Sequence, residues 1–315
     1  MVPIVQAEVV AIIPTLSRSR NLDRCIGALL SESDDQDLRI LVVGNGGDTG
    51  SHPSLDERVT YVSVGVNLGW AGGLRFGRQR IDAQFIWAIQ DDMTILPGCL
   101  RGLVSVLKSD VGLGAVRPAI VDDRGRLARR SCGGYVDDRG TVMRGWPMRG
   151  RRLHGLRVPT DLSYIASSGM LIRAGAWDDV GGWDGRYYPV QYADVDFCAR
   201  LSANGWRFSI VPGALARHAG SASSPSNLRN LLSFHNRRRF SEVWLGGSAP
   251  ANWLDQAPAI HPDVSKEMLA ELLALSNAAL FDLDSWLATQ HVIRPFSQRI
   301  RGAYWTARAF ADPTL

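Results

Sequence analysis

Apolar residues in the first hundred positions fall into short runs separated by amphipathic stretches. Val9-Val-Ala-Ile-Ile13 is such a run, stopped by Pro14, and predicts a buried strand. Asn21–Leu30 places Leu22, Ile26, Leu29 and Leu30 at helical spacing. Arg39–Val43 predicts a second strand, closed by a turn at Gly44–Asp48. Val59–Val64 predicts a third, followed by a loop at Asn67–Gly73 and a helix to about Ile81. Phe85–Ile89 predicts a fourth strand that runs into Gln90-Asp91-Asp92, and Pro97 marks the start of a helix ending near Lys108.

This alternation predicts an α/β fold, a mostly parallel, twisted, Rossmann-like sheet flanked by helices. Such sheets bind ligands outside the carboxyl ends of their strands. Those ends carry Pro14-Thr15, Asn45-Gly46, Asn67–Gly73 and Gln90–Asp92, so a nucleotide-sized cleft is expected at that edge. Residues 111–160 read as irregular and rich in Gly and Arg, and 163–173 regain strand character. A turn at Gly181–Asp184, a helix from Asp194 to Asn204 stopped by Gly205, and a strand at Arg207–Val211 follow. From about Asn227 the pattern turns helical. The expected organisation is one domain over residues 1–225, in halves of about 1–110 and 111–225, and a helical region over 226–315.

Composition narrows the class. The 315 residues are 45% hydrophobic and 21% charged, which excludes disordered and fibrous chains. No apolar stretch approaches the roughly 20 residues of a spanning helix. The N-terminal apolar run lacks a preceding basic segment and carries Glu8, so it does not read as a signal peptide, and a cytoplasmic location is expected. Cys25, Cys99, Cys132 and Cys198 form no Cys-x-x-Cys pair, which favours reduced, partly buried thiols over a zinc site or disulfides. Eleven arginines face four acids between Arg117 and Arg157, an excess larger than the whole chain's +4. That segment reads either as a site for an anionic partner or as a solvated face. Nucleic acid is not expected, because the basic residues lack interleaved aromatics.

Four features could carry chemistry, each with a plainer reading beside it. Asp91-Asp92 at a strand end could hold a divalent cation that bridges diphosphate oxygens, or form a solvated turn. Asp194 could act as a base, or cap a helix N-terminus. Gly69-Trp-Ala-Gly72-Gly73 opening a helix could admit a diphosphate, or make a tight turn. His218, after a predicted strand, could ligate a metal, or serve the core.

In this order the four resemble the family-2 glycosyltransferases of GT-A fold, in their rhamnosyltransferase- and galactofuranosyltransferase-like branch. Val10-Ala-Ile-Ile-Pro-Thr15 with Arg18 is similar to the family's first strand and nucleotide loop. Leu41-Val-Val-Gly-Asn45-Gly-Gly resembles its second strand and turn, with Gly44 where an Asp is usual. Asn67-Leu-Gly-Trp-Ala-Gly-Gly73 is the most specific likeness. Gln90-Asp91-Asp92 with Pro97-Gly98 aligns with the Asp-x-Asp region. Ser168-Gly169, Gly181-Gly-Trp-Asp184, Ala193-Asp-Val-Asp196 and His218-Ala-Gly220 then follow in family order, and Asn227–Arg239 resembles its Arg/Asn-rich helix. Gln90 replaces the usual first Asp, and Ala193 replaces the acid before the base.

The resemblance implies an inverting glycosyltransferase that moves a sugar from a nucleoside-diphosphate donor, UDP- or dTDP-linked, to an acceptor hydroxyl. It implies Asp194 as general base and a divalent cation (Mn2+ or Mg2+) on Asp92 and His218. Donor contacts would come from Pro14, Thr15, Arg18, Asn45, Asn67, Gly72, Gly73, Gln90 and Asp91. Acceptor contacts would come from Ser168, Gly169, Trp183 and Asp184, making 1–110 the nucleotide-sugar half and 111–225 the acceptor half. Expected acceptors are a glycan, a lipid-linked glycan or a small natural product. The arginines, with Phe234–Phe240, would suit peripheral contact with the inner face of a membrane, and the C-terminal helices would suit homodimer association. Two alternatives stand: a sugar nucleotidyltransferase, which lacks here its usual Lys-containing Gly-rich loop, and an inactive sugar- or nucleotide-binding partner subunit.

Overall fold

The computed structural model describes residues 4–16, 19–33, 36–45, 56–64, 67–128, 132–138, 140–146, 157–188, 190–219, 233, 236–237 and 239–246. The first half runs β1 (Val5–Thr15), α1 (Arg20–Glu32), β2 (Leu38–Gly44), β3 (Val59–Ser63), α2 (Gly69–Arg78), β4 (Ile81–Ala88), β5 (Met93–Ile95) and α3 (Cys99–Ser109). The second runs β6 (Leu113–Ile120), β7 (Gly133–Val136), β8 (Val142–Trp146), β9 (Tyr164–Ile165), β10 (Met170–Arg173), α4 (Ala174–Asp179), α5 (Ala193–Ala203) and β11 (Arg207–His218). The described residues among 233–244 are helical, and Phe240 joins the main core.

Eight strands form one sheet in the order β3-β2-β1-β4-β10-β6-β11-β5, and β8-β7-β9 form a small second sheet. Strands β3, β2, β1 and β4 are mutually parallel, and β11 is parallel to β6. Strand β10 runs antiparallel between β4 and β6, and β5 antiparallel beside β11. The sheet is therefore mixed and mostly parallel. Strand β1 is buried from Val9 to Thr15, as a strand covered by helices on both faces must be.

Several expectations change. Strand β1 passes through Pro14 instead of stopping there. Pairing with β4 ends at Ile12, so the side where Pro14 lacks an N–H has no ladder to break. Helix α2 begins at Gly69, so the expected loop already forms the helix's first turns, and Ile81 opens β4 instead of ending α2. The larger correction concerns 111–160. That stretch contains β6, buried at every residue, together with β7 and β8. Its Gly, Arg and Pro hid the strand. Pro118 is tolerated because the β6–β11 register shifts between Val211 and Leu215, opposite it. The 163–173 strand is two strands in different sheets. The turn expected at Gly46–Asp48 lies outside the described residues.

Candidate active site

Register brings the loops to one rim. The parallel strands β1, β2, β3 and β4 end together at Thr15, Gly44, Ser63 and Ala88. Met170, the first residue of antiparallel β10, pairs with Ala88, so the Ser167–Gly169 turn lies at that same end. Strand β11 finishes there too, with His218 opposite Met93.

At the ends of β2 and of the loop after β3, Asn45 and Asn67 are buried and hold the start of α2. Asn45 Oδ1 accepts from Leu68 N at 2.7 Å, and its Nδ2 donates to Gly69 O at 2.9 Å. Asn67 Oδ1 accepts from Gly69 N at 2.7 Å. These side chains replace the cap that Leu68 cannot supply. Gly73 lies against β1: a Cβ there would meet Pro14 Cβ at 2.8 Å. Gly72 is buried too, and a Cβ on it would meet Leu68 Cβ at 2.7 Å. Gly73 thus serves close helix–strand packing and Gly72 close packing on Leu68 at the helix's own start, which differs from the expected open approach to a diphosphate. Arg18 lies outside the described residues.

The acidic run sits beside them. Thr15 Oγ1 donates to Asp91 Oδ2 at 2.6 Å, tying β1 to the end of β4. Gln90 O accepts from Cys25 Sγ at 3.5 Å, and Gln90 Oε1 is buried with no hydrogen-bond partner among the described residues. His218 Nε2 stands 3.0 Å from Asp92 Oδ1, and Ala219 N donates to Asp92 O at 3.1 Å. No cluster of three or more His, Cys, Asp or Glu able to hold a metal occurs among the described residues. The carboxylate of Asp92 and the imidazole of His218, 3.0 Å apart, are donor types that a divalent cation takes, and the unmet Gln90 oxygen is a third of that kind on the same acidic run.

Asp194 enters from α5. Its Oδ2 accepts from Ser167 N at 3.3 Å, and its Oδ1 from Val195 N at 3.0 Å. The same turn holds Arg117, whose Nη2 donates to Ser168 O at 3.1 Å. Arg117 is fully buried in β6. Burial pushes its pKa down, and the nearby Asp194 carboxylate is among the groups that oppose that shift. Sequence reasoning counted Arg117 only within a charged stretch; the one signal was an Arg between apolar neighbours, Ala115-Val116 and Ala119-Ile120. Gly169, at φ +77°, donates its N–H to Ala88 O at 2.9 Å, and a Cβ there would meet Met93 Cε at 2.8 Å. Asp194 and the Gln90–Asp92 run are thus joined through one short turn.

Two acceptor-side expectations need restating. Trp183 has no exposed surface and stacks on Phe197, with centroids 4.5 Å apart. It is a core ring, which corrects the expectation that it faces a sugar. Asp184 is clamped by Arg186, with Nη2 to Oδ2 at 2.7 Å and Nε to Oδ1 at 2.9 Å.

Residues 10–181 match the family model for glycosyl transferase family 2, more than half of the chain. The chain belongs to glycosyl transferase family 2. This glycosyltransferase is similar to the N-acetylglucosaminyl-diphospho-decaprenol L-rhamnosyltransferase of Mycobacterium tuberculosis, with 26% identity over 273 residues, covering 76% of this chain and 86% of the relative. Its fold is GT-A. The mannosyltransferase PcManGT of Pyrobaculum calidifontis, solved with GDP-Man and Mn2+, superposes with a TM-score of 0.53 at 15% identity, covering 98% of this chain and 86% of that one. GalNAc-T7, solved with UDP, GalNAc and Mn2+, gives 0.55 at 12% identity, covering 96% and 56%.

Proposed function

We propose that this glycosyltransferase moves a 6-deoxyhexose, as its rhamnosyltransferase relative does, from a nucleoside-diphosphate donor to a hydroxyl of a lipid-linked diphospho-sugar, with inversion. The observation that carries this reading is the single turn, Ser167–Gly169, which joins the Asp194 carboxylate to the strand end bearing Gln90-Asp91-Asp92. A base and a diphosphate site on opposite sides of one sugar suit in-line displacement.

In this reading Asp194 takes the proton from the acceptor hydroxyl as the new glycosidic bond forms, a role typically contributing 10²–10⁴-fold. Asp194 lies in the first turn of α5. Ser167 N and Val195 N orient the carboxylate. Thr15, held by Asp91, borders the nucleoside side, with Pro14 and Asn45 behind it. Arg18, Asn67, Gly72 and Gly73 complete the donor side in this assignment, with the glycines acting through packing. Ser168, Gly169 and Asp184 border the acceptor half, residues 111–225. Asp92 and His218, with Gln90 beside them, would hold a divalent cation, which when bound stabilises charge on the departing diphosphate.

Asp194→Asn keeps shape and loses basicity. It is expected to bind the donor normally while transfer from dTDP-L-rhamnose to N-acetylglucosaminyl-diphospho-polyprenol falls by about 10²-fold or more. Near-normal turnover removes Asp194 as base. Pyrophosphate release from a nucleoside triphosphate would favour nucleotidyl transfer instead.

A further inference from the structure

The loop that delivers Asp194 is gripped by a segment the proposed chemistry does not use. Gln191 and Tyr192, at φ 77° and 65°, are the only positive-φ residues other than glycine among the described residues. They immediately precede α5. A left-handed backbone at such residues persists only where the surroundings over-determine it.

The described residues among 233–244 supply those surroundings. Asn236 has no exposed surface, and its Nδ2 donates to Val190 O at 2.9 Å and to Gln191 O at 3.0 Å. Ser233 Oγ donates to Gln191 Oε1 at 3.3 Å. The Phe240 ring lies 6.0 Å from that of Tyr192, whose hydroxyl donates to Gly140 O at 2.8 Å. Two residues past Asp194, Trp244 Nε1 donates to the buried Asp196 Oδ1 at 3.0 Å. Asn236 Oδ1 is buried with no partner among the described residues. The side chain's hydrogen bonding is therefore spent on the carbonyls around the left-handed pair.

We infer that Asn236 is a positioning residue for Asp194: it pins the left-handed Gln191–Tyr192 pair, so that α5 starts with its first carboxylate turned to the Ser167–Gly169 turn. This rests on Asp194 as the base. The Arg/Asn-rich segment thus acts on the acceptor side from within the fold, through an inward amide.

Asn236→Asp preserves shape but cannot donate from its side chain when ionised, and Asn236→Ala removes the amide. In the full chain, kcat for rhamnosyl transfer from dTDP-L-rhamnose to N-acetylglucosaminyl-diphospho-polyprenol is expected to fall about 10- to 100-fold in either variant, as for a misplaced reacting group. Donor KM stays unchanged. Adding Gln191→Gly to Asn236→Ala, which removes the side-chain cost of positive φ, restores part of kcat. Amide hydrogen exchange, which needs no substrate, speeds up across residues 190–196 in Asn236→Ala and not in β1 or β4. Unchanged exchange across 190–196, or acceleration spread evenly over the whole sheet, overturns the inference. Full turnover in Asn236→Ala while Asp194→Asn is inactive sinks the positioning role alone; full turnover in Asp194→Asn sinks the base, and the positioning role with it.

Discussion

A single Cβ separates Gly73 from a clash. Alanine there would press on Pro14 Cβ at 2.8 Å and Asn45 Nδ2 at 3.3 Å. Gly73→Ala is expected to destabilise by about 1–3 kcal/mol, read from the urea midpoint. Gly27, on the exposed face of α1 with nothing within 4 Å of its Cβ position, behaves oppositely: alanine should stabilise by about 0.5–1 kcal/mol. Asp184 carries a pH signature. Burial raises its pKa, but hydrogen bonds from Arg186 outweigh this and hold it below the ordinary 3.8. A depressed folded-state value means stability that is present above 3.8 and lost as pH falls through the folded value. Asp184→Asn should therefore melt lower than the parent at pH 7, with the gap closing in acid; a constant gap would contradict the ion pair's role. At this scale the placement of Asp91, Asp92, Asp194 and His218 at strand and helix ends was legible, because ionisable side chains stand out at the ends of apolar runs. Trp183 was not, because an aromatic beside Asp and Gly reads equally as surface or core.

Among the elements, α3 is the instructive case. Its N-cap is Gly98, with no side chain to offer. Glu32, the last residue of α1, reaches across instead: Oε1 accepts from Gly98 N and Oε2 from Leu100 N, both at 2.7 Å. Glu32→Ala strands two donors at a helix start and should cost about 1–3 kcal/mol. Urea unfolding checks this, with the midpoint falling and the slope unchanged. The sequence announced α3 through Pro97 but not its cap, which sits on another helix. It announced β1, β2, β3 and β4 through their apolar runs. It concealed β6, where Arg117 and Pro118 interrupt the run, and the short β5.

At the scale of the whole molecule, antiparallel β10 and β5 turn an open parallel sheet into one whose loops meet at a rim. No described helix is long and apolar enough to cross a membrane. If Asp92 and His218 hold a cation with the diphosphate, dTDP and MnCl2 together should raise the melting temperature more than either alone. The gain is about 2.7 kcal/mol at a ligand concentration a hundredfold above Kd. EDTA should reverse that gain and suppress transfer. A dTDP shift indifferent to EDTA would speak against the cation.

Local pattern alone determined the parallel half of the sheet and the order of its polar strand ends. Strand burial is written in consecutive residues, and a strand's end follows its last apolar position. Tertiary structure alone decided how those ends are wired. Asp91 takes its bond from Thr15, 76 positions away; Arg117 reaches Ser168, 51 away; Asn236 holds Gln191, 45 away. The physical reason is that a buried polar group is tolerable only when a partner meets it, and which distant residue does so is settled when the chain packs.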